Sequence, residues 1–427
     1  MRVRCETYGC TMNKGDSELM LGRLTEAGHR VVDYLDDADL VLVNTCAVKG
    51  PTQRRVLRRL EELRQLDGKK IVVAGCLPLI DPKSIDRAGI FEGVISCHAT
   101  DSIVQVVDKI AEGKTNVRSL QESSKKLCAP KLRGSEVSAI VPISEGCTSN
   151  CSYCSVKFAR GKLRSFNLDE VLAEIEDALR SGRREILLTA QDTAAYGMDS
   201  DTLLPELLEK ITQLDGKFRV RVGMMNPTTA KPLMPELVDA FDDEKIYKFL
   251  HLPVQSGDDG VLREMRRGYT VEEFLKIVNA FRERFRNLYL ATDVIVGFPG
   301  EEEAAFENTC ELIERAKPDK VNLTRFSPMP GTDAARMPQV EGREKKRRSR
   351  LLSAKHRAIG HEQNKGYVGR TAEGLIVEEG KKGGWVVRLP NYKPAIVKQA
   401  GLGKFANVRI TDARPTYLMG EVVGVSK

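Results

Sequence analysis

Glu145-Gly-Cys-Thr-Ser-Asn-Cys-Ser-Tyr-Cys154 places Cys147, Cys151 and Cys154 in a CxxxCxxC spacing directly after the apolar run Ala139–Ile143. The run reads as a strand, so the spacing predicts a loop in which three thiolates wrap one metal centre. A structural zinc site takes four protein ligands, and so does an ordinary electron-transfer iron–sulfur cluster. Three thiols therefore call for a fourth ligand from elsewhere, or they leave one metal position open to something that binds there.

Upstream, residues 1–125 alternate between strand and helix signals. Val3–Thr7, Leu40–Val43 and Ile71–Val73 are short strand-like runs. Between them lie a helix carrying Leu19, Met20 and Leu24, which Asp16 or Ser17 caps and Gly28 ends, and a second helix over Thr52–Leu66. Such alternation predicts a parallel sheet with helices on its faces. One cysteine follows each run: Cys10 in Tyr-Gly-Cys, Cys46 in Asn-Thr-Cys and Cys76 in Ala-Gly-Cys. The carboxyl ends of strands form the ligand crevice of an open α/β sheet, so these thiols can converge as a second group of three. Cys5, Cys97, Cys128 and Cys310 show no such register and read as core packing. The polar stretch Lys114–Gly134 reads as a linker.

Downstream, six strand candidates (139–144, 185–190, 218–224, 248–252, 288–297 and 319–326) are separated by helical patterns such as Leu168–Ser181, Val271–Arg284 and Glu302–Ala316. Six such units suggest an incomplete version of the eight-fold barrel, whose chemistry sits at the carboxyl ends of the strands. Those ends carry the three cysteines, then Thr189–Asp192, Met224–Pro227, Pro253–Gly257, Val296–Glu301 and Phe326–Thr332. Glycine lets backbone approach a bulky cofactor closely, which makes Gly297 and Gly300 candidate contacts as well as ordinary turn residues.

Glu341–Lys427 holds 19 Lys/Arg against 8 Asp/Glu, although the whole chain of 427 residues carries only +7. A basic end on a mildly acidic body suggests a polyanion-gripping appendage. It begins with the basic run Glu341–Arg357. About five short strands follow (Leu375–Val377, Trp385–Leu389, Ala395–Val397, Asn407–Ile410 and Glu421–Val425), which predict a small β-barrel. Lys381, Lys382, Arg388, Lys393, Lys398, Lys404 and Arg409 decorate it, with Trp385 and Tyr392 offered for stacking on single-stranded RNA. No apolar run nears the ~18 residues of a membrane span, and the first residues have no apolar signal core. The expectation is a cytoplasmic protein without a membrane partner. Ten cysteines in that compartment point to metal or redox chemistry rather than disulfides.

The cysteine motif, with Tyr153 before its last thiol, resembles the radical S-adenosylmethionine (SAM) superfamily. Adding Tyr8-Gly-Cys10, Asn13, Asp16-Ser-Glu18, Asn44-Thr-Cys46, Gly75-Cys76, His251–Gly257, Met265-Arg-Arg267, Tyr269-Thr270, Asp293–Gly300 and Ser327–Thr332, the whole chain resembles the methylthiotransferases. Lys157–Gly161 and Gln191–Gly197 look most like the archaeal and eukaryotic branch, which modifies N6-threonylcarbamoyladenosine at position 37 of tRNA. Met329 stands where many relatives carry arginine, and Glu301-Glu-Glu303 lacks a usual threonine, so no role is carried over there.

The resemblance implies an amino-terminal cluster domain (1–125), a radical SAM domain (135–360) and an RNA-binding TRAM domain (364–427). It implies a 4Fe-4S cluster on Cys147, Cys151 and Cys154, whose open iron takes SAM, and a second on Cys10, Cys46 and Cys76 that holds the sulfur. A 5′-deoxyadenosyl radical then opens C2 of the adenine, and a second SAM methylates the sulfur. Gln191, Asp192, Gln255, Ser256, Gly297 and Gly300 are expected around SAM, with Arg267 on SAM, on a nucleotide phosphate or in a surface salt bridge. Expected partners are the tRNA anticodon loop, a low-potential electron donor and a sulfur source. Isopentenyladenosine in tRNA and a ribosomal protein side chain are alternative substrates. A metal-bearing RNA-binding protein without catalysis is the alternative of another class.

Overall fold

The computed structural model describes residues 1–47, 50–120 and 124–425. Residues 121–123 of the expected linker and 426–427 of the expected carboxyl-terminal domain lie outside them. The chain forms two compact units: Met1–Gly134 with Ile140–Phe166 and Ser327–Arg336, and Ser135–Ala139 with Asn167–Phe326 and Met337–Lys427.

The first unit is built on a six-stranded sheet of β1 (Arg2–Thr7), β2 (Arg30–Val31), β3 (Leu40–Thr45), β4 (Lys70–Gly75), β5 (Gly93–Ser96) and β6 (Val117–Ser119). The order is β2-β1-β3-β4-β5-β6, and all the pairs are parallel. Alternate residues feed opposite cores: Val41, Val43, Ile71 and Val73 join one apolar cluster, and Leu40, Leu42, Val72 and Ala74 the other. A sheet covered on both faces needs runs of Val, Ile and Leu rather than alternation, which is why Leu40–Val43 and Ile71–Val73 read so clearly.

Two expectations fail here. The first helix spans Thr11–Glu26 with Cys10 as its N-cap, so Asp16 and Ser17 lie inside the helix, buried, and cap nothing. Their side chains are drawn inward by polar partners on other elements. The stretch read as a linker adds β6 to the sheet and buries Ser124, Lys126 and Leu127. Within the same unit, β8 (Ser144–Glu145) pairs antiparallel with β9 (Arg164–Ser165), enclosing the CxxxCxxC loop.

The second unit opens with Ser138–Ala139, the start of β7 (Ser138–Pro142). The backbone of Arg184 and of Glu185 donates to the carbonyl of Val137 just before it. The remaining barrel strands are β10 (Glu185–Thr189), β11 (Arg219–Arg221), β12 (Phe249–His251), β13 (Tyr289–Val296) and β14 (Lys320–Arg325). β10 and β11 pair in parallel, as do β12, β13 and β14, and a parallel bridge from Met224 to His251 joins the two sets. This is the incomplete six-strand barrel. Its helices start where the sequence can cap them. Asn167 accepts from the backbone of Asp169 and of Glu170, and Thr270 with Glu273 forms a capping box at the head of Val271–Arg284.

β15 (Thr371–Glu379), β16 (Trp385–Arg388), β17 (Pro394–Val397), β18 (Phe405–Ala413) and β19 (Leu418–Val425) close a small barrel in the order β15-β16-β17-β19-β18. It packs under the amino-terminal ends of the larger barrel's strands, away from their carboxyl ends. Lys393 Nζ lies 2.6 Å from Asp319 Oδ1, Asn391 Nδ2 donates to Asn287 O at 2.8 Å, and Lys248 donates its backbone N–H to Pro390 O at 3.0 Å. Tyr392 packs against Tyr247 and Phe249, and the Arg388 guanidinium lies over its ring. Tyr392 and Lys393 therefore hold the two barrels together instead of offering themselves to RNA, and Arg388 is drawn onto the Tyr392 ring. Lys381, Lys382, Lys398, Lys404 and Arg409 are exposed.

The long helix Gly342–Lys365 is two-faced. Lys345, Arg348, Leu352, His356, Gly360 and Asn364 are buried at helical spacing, while Arg343, Lys346, Arg350 and Arg357 are exposed. Burial pushes the His356 imidazole below its usual range, against the pull of Asp319. Folded and unfolded chains are both neutral there at high pH. As pH falls through the unfolded value of about 6.5, only the unfolded chain gains the proton, so stability drops until the folded value is passed. The thermal midpoint is expected to fall less between about pH 7.5 and 5.5 in His356→Gln than in the native chain. An equal fall in both would remove this role.

Candidate metal centres and cofactor mouth

In the first unit, Cys10, Cys46 and Cys76 stand at the carboxyl ends of three adjacent strands, β1, β3 and β4. Two glycines let these loops converge. Gly9 has φ +121°, and a Cβ there would lie 2.7 Å from Cys46 Cβ. Gly75 has φ +99°, and a Cβ there would lie 2.4 Å from both Asn44 Oδ1 and Thr45 O. Asn13 is fully buried at the centre. Its Nδ2 donates to Thr45 O (2.9 Å) and Tyr8 O (3.2 Å), and its Oδ1 lies 3.4 Å from Cys10 Sγ and 3.8 Å from Cys76 Sγ. A hydrogen bond from Cys97 outweighs burial and brings Cys76 down to about 6, while Cys97 itself is pushed well up. Cys97, expected only to pack, is indeed in the core but also touches a member of this group.

Cys147, Cys151 and Cys154 line the loop between β8 and the short helix Val156–Arg160. The loop is pinned by bonds from Cys147 N to Gly161 O (3.3 Å) and from Cys154 N to Cys151 O (3.2 Å). The backbone of Ser149 donates to Cys147 Sγ at 3.4 Å, an N–H directed at sulfur of the kind that stabilises thiolate ligands. Three thiols with no fourth cysteine in the loop fit a 4Fe-4S cluster with one iron left for SAM. The same donor set fits at Cys10, Cys46 and Cys76.

Between these groups, within the same unit, lies a buried polar network. Arg160 Nη1 lies 2.5 Å from Glu145 Oε1, and its Nη2 donates to Asp16 Oδ2 (2.7 Å) and Asn13 Oδ1 (3.2 Å). Lys126 Nζ reaches Asp16 Oδ1 (2.6 Å), Cys97 O (2.8 Å) and Glu145 Oε1 (3.2 Å). Arg164 lies 3.4 Å and His98 3.7 Å from Glu145 Oε2. Burial pushes the Glu145 carboxyl up, but Lys126, His98 and Arg160 outweigh it and hold it well below the usual range. Ligand atoms of Cys97, His98 and Glu145 lie within 4.8 Å of one another, yet a metal ion there would compete with Lys126 and Arg160 for the carboxylate. Sequence reading misses this network, because its members show no local pattern.

In the second unit, the residues expected around SAM divide into two kinds. Asp192 is buried and accepts from the Asn226 backbone (3.0 Å) and Thr229 Oγ1 (2.8 Å); burial pushes its carboxyl up. Arg267, read as a surface salt bridge among other options, is buried: Nε donates to Tyr269 Oη (3.0 Å) and Nη2 to Asn226 Oδ1 (3.0 Å) and Pro253 O (3.3 Å). Ser256 is fully buried, with Oγ 3.4 Å from Thr309 Oγ1. Gly297 donates its N–H to Glu301 Oε2 at 2.5 Å, and a Cβ there would meet Lys345 Cγ at 2.4 Å. These four brace the strand ends. Gln191 and Gln255 are half-buried, and Gly300 has open space where a Cβ would stand. Gln255 holds φ +70°, a costly conformation for a side chain with Cβ and one that clusters at ligand sites.

Three links here were not part of the sequence reading. His251 Nε2 and Asp293 Oδ2 lie 2.9 Å apart at the mouth. Asn226 joins Asp192 to Arg267. Glu301 accepts from Arg348 Nη1 at 2.7 Å, tying the basic helix to the turn after β13. The glutamate run after Gly300 thus has a structural use. Met329 is buried in an apolar cluster of the first unit.

Residues 2–95 match a family described as uncharacterized protein family UPF0004, residues 141–313 the radical SAM superfamily and residues 365–423 the TRAM domain. The probable threonylcarbamoyladenosine tRNA methylthiotransferase of Pyrococcus abyssi is 46% identical, over 99% of this chain and 100% of its own. The human threonylcarbamoyladenosine tRNA methylthiotransferase is 33% identical, over 100% of this chain and 75% of its own. A solved radical SAM methyltransferase, TsrM from Kitasatospora setae, shares the fold with a TM-score of 0.58 at 16% identity, covering 78% of this chain and 75% of that one. Full-length identity at this level settles the relationship: the chain belongs to the threonylcarbamoyladenosine tRNA methylthiotransferase family.

Proposed function

We propose that this protein is a SAM-dependent enzyme that adds a methylthio group to C2 of N6-threonylcarbamoyladenosine at position 37 of tRNA. The observation that carries the reading is the pair of three-thiol groups in one unit, each a donor set that would leave one iron of a 4Fe-4S cluster open. Cys147, Cys151 and Cys154 would hold the 4Fe-4S cluster that takes SAM, and Cys10, Cys46 and Cys76 the one that takes sulfur. Bound there, the clusters and SAM supply one-electron chemistry, which suits an unactivated aromatic C–H that no side-chain acid or base opens.

The chain's own share is placement. Asp192, Ser256, Arg267 and Gly297 fix the loops at the barrel mouth, and Gln191, Gln255 and Gly300 are assigned to SAM itself. The exposed cations Lys381, Lys382, Lys398, Lys404 and Arg409, with the outer face of the basic helix, give the polyanion surface for the tRNA and its anticodon loop. Turnover needs a low-potential electron donor and a sulfur source, and the reaction is placed in the cytoplasm. No helix among the described residues is long and apolar enough to cross a membrane.

The test is mass spectrometry of tRNA nucleosides from cells with and without the protein. The 2-methylthio derivative of N6-threonylcarbamoyladenosine is expected only where the protein is present. Its persistence without the protein overturns the reading, and loss of methylthio-isopentenyladenosine instead moves the substrate.

A further inference from the structure

Arg160 stands where the two thiol groups meet one charge network. Its side chain is only 2% exposed, as are those of Asp16, Lys126 and Glu145. Two buried carboxylates, Asp16 and Glu145, face two buried cations, Lys126 and Arg160, and the partly exposed Arg164 adds a third at Glu145. With little water among these four to screen them, each charge acts strongly on what it lies against. Of the two fully buried cations, Arg160 is the one in contact with Asn13, and Asn13 Oδ1 is in turn the atom beside Cys10 Sγ and Cys76 Sγ. The guanidinium keeps its charge at any working pH, and its fork spans Glu145, Asp16 and Asn13 at once, which a lysine ammonium cannot do.

We propose that Arg160 is a positioning residue for the Cys10–Cys46–Cys76 group: through Asn13 it sets its own guanidinium charge against the thiolates and so holds the reduction potential of a cluster there upward. This rests on the reading that those three cysteines carry a cluster. Three thiolates bring negative charge to the site and reduction adds one more, so a fixed cation nearby favours the reduced form; net charge and bonds near the sulfurs set such potentials. It also accounts for the position of Arg160 six residues after Cys154, on the segment that carries the other thiol group.

The test uses full-length protein with Cys147, Cys151 and Cys154 all changed to alanine, so that only one cluster assembles, reconstituted without oxygen. Iron content and a potential titration followed by electron paramagnetic resonance are measured. Arg160→Gln is expected to keep its iron and shift the potential negative. Arg160→Lys, which keeps the charge, is expected to shift it much less. Glu145→Gln, which removes a negative charge from the far side of Arg160, is expected to shift it positive, a sign that a merely structural role does not give. An unmoved potential in Arg160→Gln, or equal shifts in Arg160→Gln and Arg160→Lys, overturns the proposal. Should Arg160→Gln lose its iron, Glu145→Gln decides, and a potential there that stays or falls overturns it. Loss of iron from all three makes the network structural only and also overturns it. Absence of iron from the parental triple variant instead removes the assignment of the cluster to Cys10, Cys46 and Cys76.

Discussion

Cys151→Ala is expected to abolish cleavage of SAM to 5′-deoxyadenosine and methionine. Cys151 is the buried middle cysteine of its loop, and its carbonyl accepts the N–H of Cys154. Alanine keeps that backbone bond, so the loss falls on the thiol. Removing so small a buried group costs on the order of 1 kcal/mol, too little to unfold a unit with two apolar cores. Two thiolates remain where the proposed cluster needs three, and even outer-shell changes at metal sites cost about 10–100-fold. The loss of 5′-deoxyadenosine formation should therefore exceed about a hundredfold. Iron should fall only to roughly half, because the Cys10–Cys46–Cys76 group is untouched. Chromatography of the nucleoside product and an iron assay on the same preparation check both halves. Undiminished 5′-deoxyadenosine would show that this loop does not hold the SAM-binding centre.

Much of this site is legible from local sequence, and the reasons are physical. Leu40–Val43 and Ile71–Val73 are buried on both faces, so they appear as short uninterrupted apolar runs, and a cysteine just past each run falls at the crevice of a parallel sheet. The barrel strands and the helix Val271–Arg284 are marked by periodicity and by a capping box. What stays hidden is long-range. Lys126 meets Asp16 across 110 residues and Arg160 meets it across 144, and nothing near any of the three announces the pairing. A lysine in a polar stretch reads as solvated, which turns Lys126 into linker and Lys393 into an RNA contact, although each is buried on an aspartate. Tyr392 misleads in the same way: an aromatic beside a basic residue looks like a stacking platform, but its neighbours Tyr247 and Phe249 come from the larger barrel. The strands Gly93–Ser96 and Val117–Ser119 are too short, and β6 too polar, to stand out alone.

Cys46→Ala separates the two thiol groups from the other side. Cys46 is buried at the carboxyl end of β3, where Gly9 admits it to close contact, and alanine fits that space with one atom fewer. The neighbouring bond from Ser155 Oγ to Ala47 O, at 3.4 Å, uses backbone and survives the change. The Cys147–Cys151–Cys154 loop should therefore keep its shape, and 5′-deoxyadenosine formation should stay within about twofold of the native protein, since loss of one distant thiol leaves the loop's own three in place. Methylthiolated nucleoside should fall to the level of a protein-free control, because two thiolates do not hold a sulfur-bearing centre. The expected signature is uncoupling, with SAM consumed and no product released, read by quantifying 5′-deoxyadenosine and modified nucleoside in the same reaction. Methylthiolated product from Cys46→Ala would assign sulfur delivery elsewhere. A parallel loss of 5′-deoxyadenosine would mean that the two groups depend on each other for assembly, through the Asn13–Arg160 network that lies between them.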